Sequence, residues 1–265
     1  MTSFRDLHVP GDPLLMINVW DAGGAKMMHA LGAKALATSS AAQAFTLGRP
    51  DGGTISRDEA LTHAQTIAAA TPLPVQGDFE NGFGDDPDIC AETVHLAAEV
   101  GLAGICIEDI KDGWDDPYEF QLSVERIRAA AAAARSLPHD FVLTARADGI
   151  MTGGYNTDEA IKRIQAFEAA GADCVYAPVP PSMAELERLV QSVNIPFNAL
   201  VAGSFAQKTT ADFAAIGVAR LSVGSSFARV THGILHDAGK AMISNGDFKA
   251  LGAAMPFADI NAFLK

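Results

Sequence analysis

Eight short apolar segments, each followed by a segment of helical character, constrain this chain of 265 residues more than any other feature. The apolar segments are near-continuous hydrophobic runs, which are typical of parallel strands covered on both faces. Eight strand–helix units in a chain of this length predict a TIM-type (β/α)8 barrel of the α/β class. The predicted strands are residues 14–21, 35–40, 74–80, 104–109, 141–146, 174–178, 196–201 and 220–225.

Helix-start signals support the same division of the chain. Ser56 and Glu59 form a predicted capping box, and Asp86 followed by Pro87 is typical of an N-cap with proline at the first helical position. Residues 41–54 are predicted to be a long loop, and the chain after residue 226 predicts extra C-terminal helices. We therefore expect one barrel domain spanning residues 1–265. A doubly wound sheet is the alternative, which the lack of G-x-G-x-x-G after the first strand disfavours.

Acidic side chains gather where the predicted strands end. Asp78 and Glu80 are two residues apart, so strand alternation would place both carboxylates on one face. Glu108 ends the next strand, and Arg146 ends the one after. In a barrel these ends meet at one mouth, and clustered carboxylates call for a divalent cation with oxygen ligands. Other polar residues at or near strand ends are Asp21, Ser39, Ser40, Tyr176 and Asn198.

The composition of the chain limits the kinds of partner that we expect it to bind. A net charge of -13 argues against nucleic acid as a partner. The sequence has no apolar run near 18 residues and no signal peptide, so we expect a cytoplasmic protein without a membrane partner. Cys90, Cys106 and Cys174 lack the spacing of a metal site and are interpreted as core residues.

Several motifs together resemble the isocitrate lyase/phosphoenolpyruvate mutase superfamily. Residues 78–84, D-F-E-N-G-F-G, match the family pattern D-x-[DE]-x-G-[FY]-G. Residues 107–109 match its I-E-D, and residues 145–148 match its A-R-x-D. Residues 18–22 and 47–52 are also similar to the family, so the resemblance covers nearly the whole chain in order.

The resemblance implies a role for each matching residue. Asp78 would ligate Mg²⁺, with Mn²⁺ as the alternative ion, and Glu80 and Glu108 would hold the ion through water. Arg146 would bind a substrate carboxylate, and amides near Ser40 and Ala41 would bind the other end of the substrate. Asp51 would lie near the reacting group. Ser39, Tyr176 and Asn198 complete the expected substrate-binding set. A homo-oligomer, dimer or tetramer, is expected, with the last helix packed on a neighbour.

The segment 110–117 departs from the family, because it contains neither the cysteine and histidine of the lyases nor the lysine–asparagine–serine segment of the mutases. The first hypothesis is therefore an Mg²⁺-dependent carbon–carbon lyase or decarboxylase for small 2-oxo or 2-hydroxy dicarboxylic acids, acting through an enolate. A phosphonopyruvate hydrolase or mutase that cleaves a P–C bond is the second hypothesis. A non-catalytic protein that binds a 2-oxo acid is the third.

Overall fold

A closed parallel barrel forms the protein, with its eight strands hydrogen-bonded in chain order, and this confirms the predicted (β/α)8 fold. The computed structural model describes residues 3–111, 113 and 116–265. Strand β8 closes the barrel by pairing with β1. The strands are β1 (Leu14–Asn18), β2 (Leu36–Ala37), β3 (Val75–Asp78), β4 (Gly104–Glu108), β5 (Val142–Arg146), β6 (Cys174–Tyr176), β7 (Phe197–Leu200) and β8 (Arg220–Ser222).

Helices follow the strands, and the predicted caps are present. Ser56 and Glu59 bond reciprocally as a capping box, and Asp86 caps a helix with Pro87 in its first turn. The helices are α1 (Ala22–Ala30), α2 (Ser40–Thr46), α3 (Arg57–Ala68), α4 (Pro87–Glu99), α5 (Phe120–Ser136), α6 (Gly149–Thr152), α7 (Thr157–Ala170), α8 (Met183–Gln191), α9 (Thr210–Ala215), α10 (Ser226–Asn245) and α11 (Phe257–Phe263).

Two local predictions were wrong. Residues 41–54 are not all loop, because α2 begins at Ser40 with Ser39 as its N-cap, whose hydroxyl accepts a hydrogen bond from the Ala42 amide at 3.3 Å. Strand β3 ends at Asp78 rather than at residue 80, and Glu80 has a φ of 45°. Asp78 and Glu80 are therefore not related by strand alternation.

Close packing under β3 requires glycine at position 77. A Cβ at Gly77 would lie 2.3 Å from the ring of Phe79 and 2.8 Å from the Leu102 side chain, inside van der Waals contact. Phe79 is fully buried there. The missing side chain lets the aromatic ring pack beneath the strand that ends at Asp78.

The C-terminal helix α10 contrasts with the closed barrel, since Ala228 alone among its 20 residues is buried. Apolar side chains on it face solvent, and Ile243 is 89% exposed while Leu235 is 70% exposed. A cavity of about 650 Å³ lies elsewhere, between β1, α1 and the N-terminal segment, and Leu15 and Leu31 line it. In the part of the chain that the structure describes, we find no helix with the length and hydropathy needed to cross a bilayer.

Candidate active site

Strand register brings the predicted residues to one mouth of the barrel. Glu108 on β4 pairs with Arg146 on β5, and Arg146 pairs with Tyr176 on β6. Tyr176 in turn pairs with Asn198 on β7. Because parallel strands present their carboxyl ends at the same edge, these residues of four neighbouring strands form one polar surface.

Asp78 is held from both sides. One of its carboxylate oxygens accepts hydrogen bonds from the Ser40 amide and the Ser40 hydroxyl, both at 3.0 Å. Its other oxygen lies 3.3 Å from Nη1 of Arg146. The Asp78 amide donates to the Thr38 hydroxyl at 2.8 Å, which fixes the end of the strand. The carboxylate is thus oriented before any ligand is present.

Arg146 is the buried cation among these acids. Its Nη1 lies 2.6 Å from a Glu108 oxygen, and its Nη2 lies 2.7 Å from an Asp148 oxygen. Burial alone would lower the pKa of Arg146, but Asp148 and Glu108 raise it well above its ordinary value. The guanidinium also lies over the ring of Tyr176, 4.8 Å from its centre.

Glu108 and Asp148, which both contact Arg146, have raised pKa values. Burial raises the pKa of Glu108 well above its ordinary value, with Arg146 opposing and Asp148 and Asp78 adding to the rise. Burial raises the pKa of Asp148 to about 6, again against the opposing effect of Arg146. The mouth therefore has an excess of negative charge.

Glu80 reaches this cluster by a turn rather than by the predicted strand. The residue is buried, and its carbonyl accepts a hydrogen bond from the Glu108 amide at 2.8 Å. Its charge contributes to the raised pKa of Glu108. The turn places Glu80 beside Glu108, although the periodicity that suggested the pairing with Asp78 does not apply.

Asp51 lies in the loop between α2 and α3 and is half-buried. Its carboxylate accepts a hydrogen bond from the Gly52 amide at 3.0 Å. Burial raises the pKa of Asp51, and the charge of Asp78 adds to the rise while Arg146 opposes it. Asp51 is thus within electrostatic range of Asp78 and Arg146, and a catalytic role for Asp51 stays a prediction.

The remaining predicted residues divide into two groups. Tyr176 and Asn198 line a cavity of about 40 Å³ at the mouth, together with Asp78 and Arg146. By contrast, the Ser39 hydroxyl is used as the cap of α2, and Ala41 is buried. Asp21 caps α1 by accepting from the Gly24 amide at 2.5 Å.

A second arginine, Arg220, was not predicted as a site residue. It is 1% exposed, and it lines the same cavity from β8. Its hydrogen bonds go to neutral groups: Asn198 Oδ1 at 2.8 Å, Gln76 Oε1 at 2.7 Å, Thr144 Oγ1 at 3.1 Å and His8 Nε2 at 3.1 Å. The sequence signal that could have indicated this residue is an arginine within a predicted strand that is otherwise apolar.

A further layer that the sequence reasoning missed supports Asp148. The Asp148 amide donates to Asp109 at 2.8 Å, and the other Asp109 oxygen accepts from Tyr155 at 2.7 Å and Arg163 at 3.0 Å. Burial raises the pKa of Asp109, against these stabilising contacts. This network fixes the backbone that presents Asp148 to Arg146.

The donor set fits a hard divalent cation. The carboxylates of Asp78 and Glu108 meet at Arg146, and oxygen ligands suit Mg²⁺. Within residues 3–111, 113 and 116–265, no three His, Cys, Asp or Glu side chains form a ready metal cage. Mg²⁺ usually takes one or two protein carboxylates and keeps several waters, so such a cage is not required.

Comparisons with known proteins agree with the motifs. The profile of the phosphoenolpyruvate phosphomutase family matches residues 4–243. One solved structure is that of a lyase/mutase from Burkholderia cenocepacia J2315. Its sequence is 42% identical to this chain, and the two structures superpose with a TM-score of 0.94 over 98% of this chain and 94% of that one.

Two curated relatives have defined names. The 2-methylisocitrate lyase of Escherichia coli K12 is 31% identical over 73% of this chain and 67% of its own length. The oxaloacetate decarboxylase of Paraburkholderia xenovorans LB400 is 27% identical over 73% of this chain and 65% of its own length. With the barrel and its acidic mouth, these findings assign the chain to the isocitrate lyase/phosphoenolpyruvate mutase superfamily, whose enzymes are lyases and mutases of small acids.

Proposed function

We propose that the chain is a cytoplasmic Mg²⁺-dependent lyase that cleaves a carbon–carbon bond in small 2-oxo or 2-hydroxy dicarboxylic acids. The observation that carries the proposal is the group of three acids, Asp78, Glu108 and Asp148, around the guanidinium of Arg146, with Glu80 beside Glu108. A divalent cation would neutralise the excess charge, and an anionic substrate could then enter. The similarity to carbon–carbon lyases of the superfamily supports the reaction class.

Asp78 would hold the ion directly, and Glu80 and Glu108 would hold it through water. When bound, Mg²⁺ would supply Lewis-acid stabilisation of the negative charge that develops on the substrate keto oxygen. Arg146 would pair with a substrate carboxylate in the bidentate manner that a guanidinium favours. Ser40 orients Asp78 through two hydrogen bonds, so the geometry is largely preorganised.

Decarboxylation of an oxaloacetate-like acid is the reaction we favour within this class. The segment 110–117 contains no cysteine or histidine to serve as the usual acid of the family's lyases. Loss of carbon dioxide needs no proton on the leaving group, because only the enolate that remains must be protonated. The similarity to an oxaloacetate decarboxylase supports this preference.

Asp51 is the reason for testing the alternative that the protein cleaves a P–C bond. Its electrostatic coupling to Asp78 is the observation in favour of a phosphonate enzyme. A phosphonopyruvate hydrolase or mutase would use this carboxylate near phosphorus. A protein that binds a 2-oxo acid without consuming it is the remaining alternative.

The test is incubation with Mg²⁺ and oxaloacetate, 2-methylisocitrate, dimethylmalate or phosphonopyruvate, with the loss of each followed by NMR. We expect one carboxylic acid to be consumed, and Asp78→Asn to abolish that turnover without unfolding the protein. Asp88→Asn is the matched control, because Asp88 is exposed on α4. Consumption of phosphonopyruvate alone would transfer the assignment to the P–C alternative. If the protein binds one of these acids but consumes none of them, the proposal that it is an enzyme for these substrates is contradicted.

We also propose that the chain forms a homo-oligomer through α10. Leu235 and Ile243 are exposed on this helix, and Leu15 and Leu31 line a cavity on another face; exposed apolar side chains of this kind mark interaction surfaces. Leu235→Glu should lower the mass measured by sedimentation, whereas Lys240→Glu on the same helix should not. An unchanged mass in Leu235→Glu, or a monomeric unmodified protein, would exclude this interface.

A further inference from the structure

Tyr176 has a position that the proposed function leaves without a chemical role. It ends β6, it is 7% exposed, and it lines the mouth cavity beside Asp78 and Arg146. The Arg146 guanidinium carbon lies 4.8 Å from the centre of its ring. A phenol at this point is close to both charged groups that would hold a 2-oxo acid.

A directed chain of hydrogen bonds leads to Tyr176 from the barrel floor. Arg220 Nε donates to Asn198 Oδ1 at 2.8 Å, and Asn198 Nδ2 donates to Ser222 Oγ at 2.9 Å. The Ser222 side chain is next to Tyr176 and opposes the rise in the pKa of that phenol, as a hydroxyl that donates to it would. Arginine can only donate, so it fixes the orientation of the Asn198 amide and thereby the sense of the chain.

The direction of donation along these hydrogen bonds determines where the hydrogen of the Tyr176 hydroxyl points. Because the Ser222 oxygen accepts from Asn198, its own hydrogen is available for the Tyr176 oxygen. The Tyr176 hydroxyl hydrogen then remains available to an acceptor in the cavity. The arrangement makes Tyr176 a donor at the place where substrate would bind.

The electrostatics suit a phenol that is protonated at rest. Burial raises the pKa of Tyr176 above its ordinary value, although Arg146 opposes the rise and so stabilises the phenolate when it forms.

We propose that Tyr176 is the catalytic proton donor to the carbon atom that loses its carboxylate, and that Arg220 is a positioning residue for it. The proposal rests on the proposed function and deepens it by naming the acid that segment 110–117 does not supply.

The step balances in atoms and electrons. The bond between C3 and C4 of the oxo acid breaks, carbon dioxide leaves, and the bonding pair remains in the enolate. The Tyr176 O–H bond then breaks, its electron pair stays on the phenolate oxygen, and the proton forms a new C–H bond at C3. Water returns a proton to the phenolate, so that each turnover consumes one proton from solvent.

The first test is Tyr176→Phe, which removes only the hydroxyl, assayed with Mg²⁺ and oxaloacetate. Loss of the four-carbon acid and appearance of the keto product are followed separately. We expect kcat for the keto product to fall by about 100-fold, the range of a lost general acid. The keto product should lag behind substrate loss, because the enol is released and ketonises in solution. The inhibition constant of oxalate, which needs no proton, should change less than about threefold.

Three results would overturn the proposal. If kcat is unchanged and no lag is seen, Tyr176 is not the donor. A comparable loss of oxalate binding would mean that Tyr176 only shapes the pocket. Failure of the unmodified protein to consume any oxo acid would refute the proposed function itself, and the inference with it, so the two failures are distinguishable.

A second pair of variants tests the positioning chain. Ser222→Ala cuts the chain next to Tyr176, and we expect kcat to fall about tenfold with little change in KM, together with a partial lag. Thr144→Val removes a different partner of Arg220, one outside the series of bonds through Asn198 and Ser222, and should leave kcat within about twofold. Equal effects of the two variants on kcat would mean that the network acts only on stability.

Discussion

Two arginines are buried in the same barrel, and their surroundings differ. At the mouth, Arg146 contacts the carboxylates of Asp78, Glu108 and Asp148. At the floor, Arg220 contacts amides, a hydroxyl and a neutral imidazole, and no ion pair with it is found in the described part of the chain.

The difference separates a binding region from a structural support. The mouth concentrates negative charge beyond what one arginine neutralises, and such an arrangement is costly unless a cation joins it. The floor carries a positive charge on a guanidinium whose three nitrogens each bond to a neutral partner, so it needs no ligand to satisfy them. Ligand dependence should therefore be confined to the mouth.

Replacing the mouth arginine should have the largest effect. In Arg146→Met, Glu108 and Asp148 lose their counter-ion, and unfolding with chelator present should require about 4 kcal/mol less free energy at pH 7. The pKa values of Glu108 and Asp148, which are already raised, would rise further. A carboxyl group whose pKa is higher in the folded than in the unfolded protein lowers the stability at any pH above its unfolded pKa. The deficit should therefore narrow as the pH falls from 7 to 5.

Chemical denaturation at the two pH values checks this, with the exposed Arg128→Met as control. A deficit of under about 1 kcal/mol, or one that widens toward pH 5, would contradict the charge imbalance at the mouth.

Replacing the floor arginine should have a smaller effect of a different kind. Arg220→Met leaves the neutral acceptors of Asn198, Gln76 and Thr144 unsatisfied, which should lower the unfolding free energy by about 2 to 3 kcal/mol. Mg²⁺ binding should persist, as measured by calorimetry on the folded variant. Loss of Mg²⁺ binding would show that the floor and the mouth form one electrostatic unit.

Replacement of His8 should have the smallest effect on stability at neutral pH. Its Nε2 faces the Arg220 guanidinium at 3.1 Å, so Nε2 accepts and Nδ1 donates to the Phe4 carbonyl at 2.9 Å. Burial and then Arg220 lower the pKa of His8 from 6.5 to about 4. The unfolded chain therefore binds more protons in this range, and stability should fall by about 2 kcal/mol from pH 7 to pH 5.

His8→Gln should flatten that pH dependence relative to the unmodified protein, as measured by denaturation, whereas the exposed His95→Gln should not. If the slope survives in His8→Gln, protonation of this imidazole does not control the acid stability of the floor.

The sequence predicted the mouth better than the floor, for a physical reason. Asp78, Glu108 and Arg146 stand at strand ends, where barrel geometry alone brings them together. Glu80 was predicted near them by an alternation that the turn at φ 45° removes. The α2 helix was missed because its short run of small residues lacks a clear helical period.

The floor network could not be read from the sequence. It links His8, Gln76 and Arg220 across 212 residues of sequence separation, and only the closed barrel brings them into contact. Asp148 was noted in the A-R-x-D motif but not assigned a role, because its partnership with Arg146 depends on the bend after β5.

Titration of the metal-free protein with Mg²⁺ by calorimetry is the most direct test of the central claim that the acidic mouth holds a cation. We predict one Mg²⁺ bound per chain, lost in Asp78→Asn and retained in Asp88→Asn. Addition of oxalate should tighten Mg²⁺ binding in the unmodified protein, since the dianion would add ligands and pair with Arg146. Mg²⁺ binding that is absent, or that is equally strong in Asp78→Asn, would contradict the account.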